Sequence, residues 1–291
     1  MAQPPENWSV VNMLNWGTDY FKEKNIVSPR LSIEWLLADV LGIKRLDLYM
    51  QFDRPLTTKE LGTIKPLILR RAKHEPLQYI TGQAEFFNTI IKVTRDTLIP
   101  RPETEQLVET ILAEHNVSDS LRVLDVGTGS GCIALAIKKE RPTWEVNAME
   151  ISLKALEVAK SNAELNNLDI SFIQGDLYNW ENCGLTKGYD LVVSNPPYIT
   201  ESERNSIEEQ VINYEPELAL FTQDINSTYS ALIAMGLYIL KPKGKIYFET
   251  NENYNNDVLE LFNSAYWTAK PLSDYSGKKR FIRGLLSGNH I

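Results

Sequence analysis

The chain of 291 residues is 43% hydrophobic and 23% charged, the balance of a globular protein with room for one large or two medium domains. Its formal net charge of −8 argues against broad contact with a phosphate backbone, so no stable nucleic-acid partner is expected. No apolar run approaches the roughly 20 residues of a membrane helix, and Met1-Ala2-Gln3-Pro4-Pro5-Glu6 has neither the basic nor the apolar region of a signal peptide, so a cytoplasmic protein away from membranes is expected. A monomer is the working expectation, which nothing in the sequence decides.

Residues 1–75 read as a small all-α bundle that recognises a partner or packs on the main domain. Val10, Leu14, Gly17 and Phe21 follow a helical step, as do Ile33, Leu36, Leu37, Val40 and Leu41. Ser28-Pro29 reads as a cap and first turn for the second helix, with Gly42 closing it. Thr57 and Glu60 have capping-box spacing for a third helix, which Pro66 is expected to kink. Residues 76–100 read as a linker containing a β-hairpin, with Phe86-Phe87 and residues 90–93 paired around Asn88-Thr89. Residues 99–105 read as an extended connector into a helix over 106–114.

From residue 101 to 291 strands and helices alternate, which predicts an α/β domain with a doubly wound, mostly parallel, Rossmann-like sheet. The expected strands are 121–126, 144–149, 170–174, 189–194 and 245–249, then a hairpin-like pair at 267–270 and 280–285, seven in all. Cys132 and Cys183 are too few and too isolated for a disulfide framework, and Cys132 reads as a small core filler. His74, His115 and His290 show no metal spacing, so no metal is expected.

Two stretches carry the chemistry. Leu191-Val192-Val193 is a short β-branched strand that stops at Ser194-Asn195, and Pro196-Pro197 forbid both ladder pairing and helix beyond it. In an open α/β sheet ligands sit beyond the carboxyl ends of the strands. Asn195 would stand there on a stiff backbone, its amide oxygen and the nearby main-chain carbonyls forming an acceptor array suited to an –NH2 group. An Asn-Pro pair is also a common turn opener, so the upstream loop has to weigh in. Gly127-Thr128-Gly129-Ser130-Gly131 lets a ligand approach the backbone at a helix N-terminus, and Glu150, about twenty residues on, suits a pair of ribose hydroxyls. The spacing G-x-G-x-G, rather than G-x-G-x-x-G, tilts away from a pyrophosphate. Asp125 would repel phosphate yet suit the ammonium and sulfonium of S-adenosylmethionine, unless it is simply a loop cap. Asp176 is placed for an adenine amino group, unless it too is a helix or loop cap, with Leu177 and Tyr178 along the adenine face.

Taken together, Asn195-Pro196-Pro197-Tyr198 and residues 124–131 give the chain a resemblance to the class I S-adenosylmethionine-dependent methyltransferases that act on an sp² amino nitrogen. Glu75-Pro76-Leu77-Gln78-Tyr79-Ile80-Thr81-Gly82, Ile99-Pro100-Arg101-Pro102-Glu103-Thr104-Glu105 and Tyr214-Glu215-Pro216-Glu217-Leu218-Ala219-Leu220 narrow it: over residues 28–286 the chain resembles the release-factor glutamine methyltransferases. The resemblance implies methylation of the side-chain amide nitrogen of the glutamine in the Gly-Gly-Gln loop of bacterial class I peptide chain release factors. It assigns cofactor contacts to Gly127, Thr128, Gly129, Ser130, Gly131, Glu150, Asp176, Leu177 and Asn195, and substrate contacts to Asn195, Pro196, Pro197 and Tyr198. Asn195, Pro196 and Tyr198 are the expected catalytic set: the Asn195 side-chain oxygen and the Pro196 carbonyl accept the two amide N–H bonds, while Tyr198 packs on the amide plane. Glu150 stands where the family often has Asp, and residues 221–226 replace its usual glycines. An adenine-N6 nucleic-acid methyltransferase shares the Asn-Pro-Pro-Tyr chemistry but would bring a basic face. An NAD-dependent oxidoreductase would leave residues 195–198 unexplained.

Overall fold

Apolar steps in the first eighty residues close into a helical bundle. The structure is a computed structural model that describes residues 3–288; Met1, Ala2 and residues 289–291, with His290 among them, lie outside the described residues. Two compact units form, Met1–Gly82 with Glu208–Tyr214, and Gln83–Ile207 with Glu215–Ile291.

The first unit contains α1 (Val10–Glu23), α2 (Pro29–Leu41), a 3₁₀ turn (Arg45–Met50), α3 (Thr58–Arg71) and α4 (Leu77–Thr81). Val10, Leu14, Phe21, Ile33, Leu36, Leu37, Ile64 and Ile68 make its core, as the helical spacing predicts. The capping box forms: the Glu60 amide donates to Thr57 Oγ1 (3.2 Å) and the Thr57 amide to Glu60 Oε2 (2.8 Å), an arrangement worth about 1 kcal/mol. Ser28 differs from expectation. It sits in the left-handed region (φ 52°) and caps nothing with its side chain, so Pro29 alone presets the first turn of α2. Residues 77–81 fold as one more helical turn closed by Gly82 (φ 75°), where the sequence suggested the start of a linker. The returning segment Glu208–Tyr214 is tied in through Tyr214, whose hydroxyl donates to the Lys73 carbonyl at 2.9 Å.

The second unit opens with the hairpin β1 (Gln83–Phe86) and β2 (Thr89–Lys92). Its two-residue turn is Phe87-Asn88, both at positive φ (46° and 58°), one residue earlier than expected and matching the twist of the strands. Helix α5 (Pro102–Ala113) follows, starting four residues before the predicted position 106 because Pro102 occupies the first helical position and Glu103 and Glu105 suit the positive helix end. Then come β3 (Arg122–Val126), α6 (Cys132–Glu140), β4 (Glu145–Glu150), α7 (Leu153–Asn166), β5 (Ser171–Gln174) and β6 (Tyr189–Ser194). After α8 (Glu209–Tyr214, the segment returned to the first unit) come α9 (Glu217–Leu220), α10 (Ile225–Ile239), β7 (Leu240–Glu249), α11 (Asn255–Glu260), β8 (Trp267–Ser273) and β9 (Lys279–Leu286).

The seven strands order as β5-β4-β3-β6-β7-β9-β8, parallel from β5 to β7 and antiparallel for β9 and β8. Leu124, Val126, Val192, Ile246 and Phe248 pack with Tyr229, Leu232 and Ile233 of α10. Residues alternating with these point to the other face, where α5, α6 and α7 lie side by side. The order reverses between β3 and β6, so the ends of these two strands form the switch-point crevice. Their last residues, Val126 and Ser194, are in register, and the Ser194 hydroxyl donates to the Val126 carbonyl at 2.7 Å. Among the described residues no helix is long and apolar enough to cross a membrane.

Candidate active site

Beyond that crevice lies a cavity of about 360 Å³, within the range of small-molecule sites. The glycine loop forms one wall. Gly127 and Gly129 both have positive φ (70° and 57°), and a side chain at either would meet nothing within 4 Å, so bare backbone faces open space. The loop is stitched to the end of β4: the Gly127 and Thr128 amides donate to the Met149 carbonyl, and the Gly129 amide to Glu150 Oε2 at 2.9 Å. The Ser152 amide donates to Glu150 Oε1 at 2.9 Å. Each carboxylate oxygen thus holds one backbone N–H and keeps further acceptor capacity. Asn162 of α7, fully buried, clamps the other side by donating to the Ser130 and Lys92 carbonyls (both 2.9 Å) and accepting from the Lys92 amide (2.7 Å). Asp176, Leu177 and Tyr178 lie on the cavity wall beyond β5, with Asp176 also capping a 3₁₀ turn by accepting from the Tyr178 amide at 2.9 Å.

Asn195, Pro196 and Pro197 line the opposite wall. Asn195 Nδ2 donates to Thr104 Oγ1 at 3.1 Å, and Thr104 Oγ1 donates to Glu249 Oε2 at 2.7 Å. Asn195 Oδ1 accepts no hydrogen bond among the described residues. Glu249 ends β7 at 2% exposure. Burial drives its carboxyl up to about 7, against the lowering effect of the Thr104 and Tyr198 hydroxyls. Two loops complete the rim. Buried Glu215 accepts from Arg101 Nη2 (2.6 Å) and from the Ile99 amide (3.2 Å), which joins the 99–101 connector to the segment carrying Pro216, Leu218 and Ala219.

The cavity therefore brings together Gly127, Thr128, Gly129, Ser130, Glu150, Asp176, Leu177, Asn195, Pro196 and Pro197 from the sequence-derived set. Gly131 and Tyr198 are not in the lining. Gly131 (φ 84°) is the turn into α6, packed so closely that a side chain would lie 3.0 Å from Leu135 and 3.2 Å from Ala159. Tyr198 turns its hydroxyl to Glu249 Oε1 at 3.3 Å, because a buried carboxylate has to collect donors. Asp125 is wholly buried behind the loop. Its Oδ2 accepts from Thr128 Oγ1 (2.6 Å) and the Ala134 amide (3.2 Å), which makes it a cap of loop and helix, and burial raises its carboxyl to about 7. Cys132 lines the cavity instead of filling the core, and burial pushes its thiol up to about 12. Sequence reading passed over Thr104, Glu249 and Asn162. Thr104 lies inside the 99–105 motif and Glu249 at the end of the 245–249 strand, and neither has a spacing that points to Asn195.

Residues 12–82 match the family model described as PrmC N-terminal domain, and residues 102–220 the one described as Methyltransferase small domain. The release factor glutamine methyltransferase of Leptospira interrogans is 38% identical over 280 residues, covering 94% of this chain and 97% of its own. That of Chlorobaculum tepidum is 38% identical over 286 residues (96% of each), and that of Bacteroides thetaiotaomicron 39% over 250 residues (85% and 89%). Likeness at this level across nearly the whole length, together with a glycine-walled cavity opposed by an Asn-Pro-Pro wall, shows that the chain belongs to the release factor glutamine methyltransferases.

Proposed function

We propose that this enzyme transfers a methyl group from S-adenosylmethionine to the side-chain amide nitrogen of the glutamine in the Gly-Gly-Gln loop of bacterial class I peptide chain release factors. The observation that carries the reading is the orientation of Asn195. Its –NH2 end is held by Thr104, so its oxygen is the end free to accept a hydrogen bond at the cavity wall. A carboxamide nitrogen is a poor nucleophile, since its lone pair is delocalised. Asn195 Oδ1 and the Pro196 carbonyl take its two N–H bonds, which orients the nitrogen and stabilises the positive charge that develops on it.

The bare backbone at Gly127 and Gly129 and the remaining acceptor capacity of Glu150 fit the cofactor: Glu150 would hold its ribose hydroxyls, and Asp176 and Leu177 would receive its adenine. When bound, the cofactor would supply an electrophilic sulfonium methyl, its sulfur keeping the C–S electron pair as the amide nitrogen takes the methyl. The chain's part is to pose the amide, and the nitrogen's surplus proton leaves to water afterwards. A cytoplasmic monomer goes with this reading. The test is incubation with labelled S-adenosylmethionine and a purified release factor, followed by peptide mass spectrometry. Added mass on the glutamine of the Gly-Gly-Gln peptide is expected; label on any other residue, or none, overturns the reading.

A further inference from the structure

Asn195 can present either end of its carboxamide to the cavity, since oxygen and nitrogen are nearly the same size and a half-turn about the last torsion exchanges them. Only the oxygen can accept from a glutamine –NH2 group. We propose that Thr104 and Glu249 are positioning residues whose hydrogen bonds fix which end of Asn195 faces the reacting amide, an inference that rests on the function proposed above. A threonine hydroxyl has one proton and two lone pairs. The proton of Thr104 goes to Glu249 Oε2 at 2.7 Å, and an ionised carboxylate only accepts. Toward Asn195, 3.1 Å away, Thr104 therefore has only lone pairs to offer, and the Asn195 end that meets it has to be Nδ2. Tyr198 donates to the other carboxylate oxygen at 3.3 Å, so both oxygens of Glu249 are engaged as acceptors. Thr104 and Glu249 are each 2% exposed, with Thr104 at the cavity lining, so their bond has little access to bulk water. With the chain of bonds reversed, Asn195 would turn its own –NH2 to the substrate –NH2, and two donors would face each other.

The test compares Thr104→Val, which keeps shape and loses the hydroxyl, with Thr104→Ser, which keeps the hydroxyl. If Val does not fold, Thr104→Ala takes its place. Thr104→Val is expected to lower kcat on release factor about tenfold, the effect of one lost hydrogen bond at a reacting group, with the dissociation constant for S-adenosylhomocysteine unchanged by calorimetry. Thr104→Ser should stay within a few-fold of the parent. In ¹⁵N-labelled protein, the Asn195 side-chain amide resonance, assigned by its loss in Asn195→Ala, should show slowed proton exchange in the parent and in Thr104→Ser but not in Thr104→Val. An unchanged kcat in Thr104→Val, an unchanged amide signature in it, or an equal loss in Thr104→Ser overturns the proposal. The resonance separates this from the function itself: a parent enzyme that shows the protected amide yet leaves release factor unmethylated keeps the positioning and loses the substrate.

Discussion

Helix α5 and strand β7 lie against each other and carry a carboxylate at either end, and the two meet opposite treatment. At the C-terminal end of α5, half-buried Glu114 accepts from Tyr247 Oη (2.8 Å), from Arg283 Nη1 (2.8 and 2.9 Å) and from Lys245 Nζ (3.1 Å). Burial alone would raise its carboxyl, but these donors outweigh burial and hold it down at about 2. At the N-terminal end, Thr104 meets Glu249, which collects two hydroxyls. The nearby cation, Arg280, spends its Nε on Asp274 at 2.7 Å, and Glu103 adds repulsion, so burial wins and the Glu249 carboxyl stands near 7. Where the pair only holds the fold, charge is compensated. Where Thr104 lines the cavity, the carboxylate behind it is left under-compensated, the pattern expected of a site that trades stability for function.

Asn195→Ala should break the contrast most sharply. Turnover is expected to fall roughly 10²–10³-fold, the usual result of removing a group that meets developing charge, while cofactor affinity by calorimetry stays near the parent value. Equal loss of cofactor binding would make Asn195 a cofactor residue instead. At the other end, Glu114→Ala strands Lys245 and Arg283 without their anion. A loss of about 2 kcal/mol is expected, seen as a Tm lower by roughly 4–8 °C, with kcat at saturation unchanged. The pH sign follows from the lowered carboxyl: its stabilisation is present above about 4.5 and lost as pH falls toward about 2, so Glu114→Gln should flatten the acid limb of Tm against pH.

Glu150→Ala should raise the cofactor dissociation constant about tenfold, with little effect once the cofactor saturates. A pH effect at Glu249 is the smallest expected change. Because its folded value is raised, the stability it contributes is present below about 4.5 and lost as pH rises through about 7, the reverse of Glu114. Turnover should move the other way and climb with pH through about 7, since only the ionised carboxylate is purely an acceptor for Thr104. Facing it are Thr104 and Glu103 of α5, Tyr198 after β6, Arg280 of β9, and Tyr229 of α10, which donates to its main-chain carbonyl at 2.8 Å. Glu249→Gln cannot titrate, and a kcat–pH profile that keeps this limb in that variant would show that Glu249 does not set it.

Residue order alone was enough for the helical bundle, the alternation of strands and helices, the glycine loop and the Asn195-Pro196-Pro197 wall, because each is written in neighbouring residues as a period, a cap or a stiff turn. Ser28 and Pro102 show its margin of error: Ser28 takes a left-handed backbone and caps nothing with its side chain, and α5 begins at Pro102, four residues before the expected start. The fate of Asp125, Gly131 and Tyr198 was settled by packing, which buried Asp125 and Gly131 behind the glycine loop and turned the Tyr198 hydroxyl to Glu249, leaving all three out of the cavity lining. The orientation of Asn195 could not be read from the letters at all. It depends on Thr104, 91 residues away, and on Glu249, 145 residues beyond Thr104, and hydrogen-bond direction between groups so distant in the chain exists only once helix α5 has docked on the ends of β6 and β7.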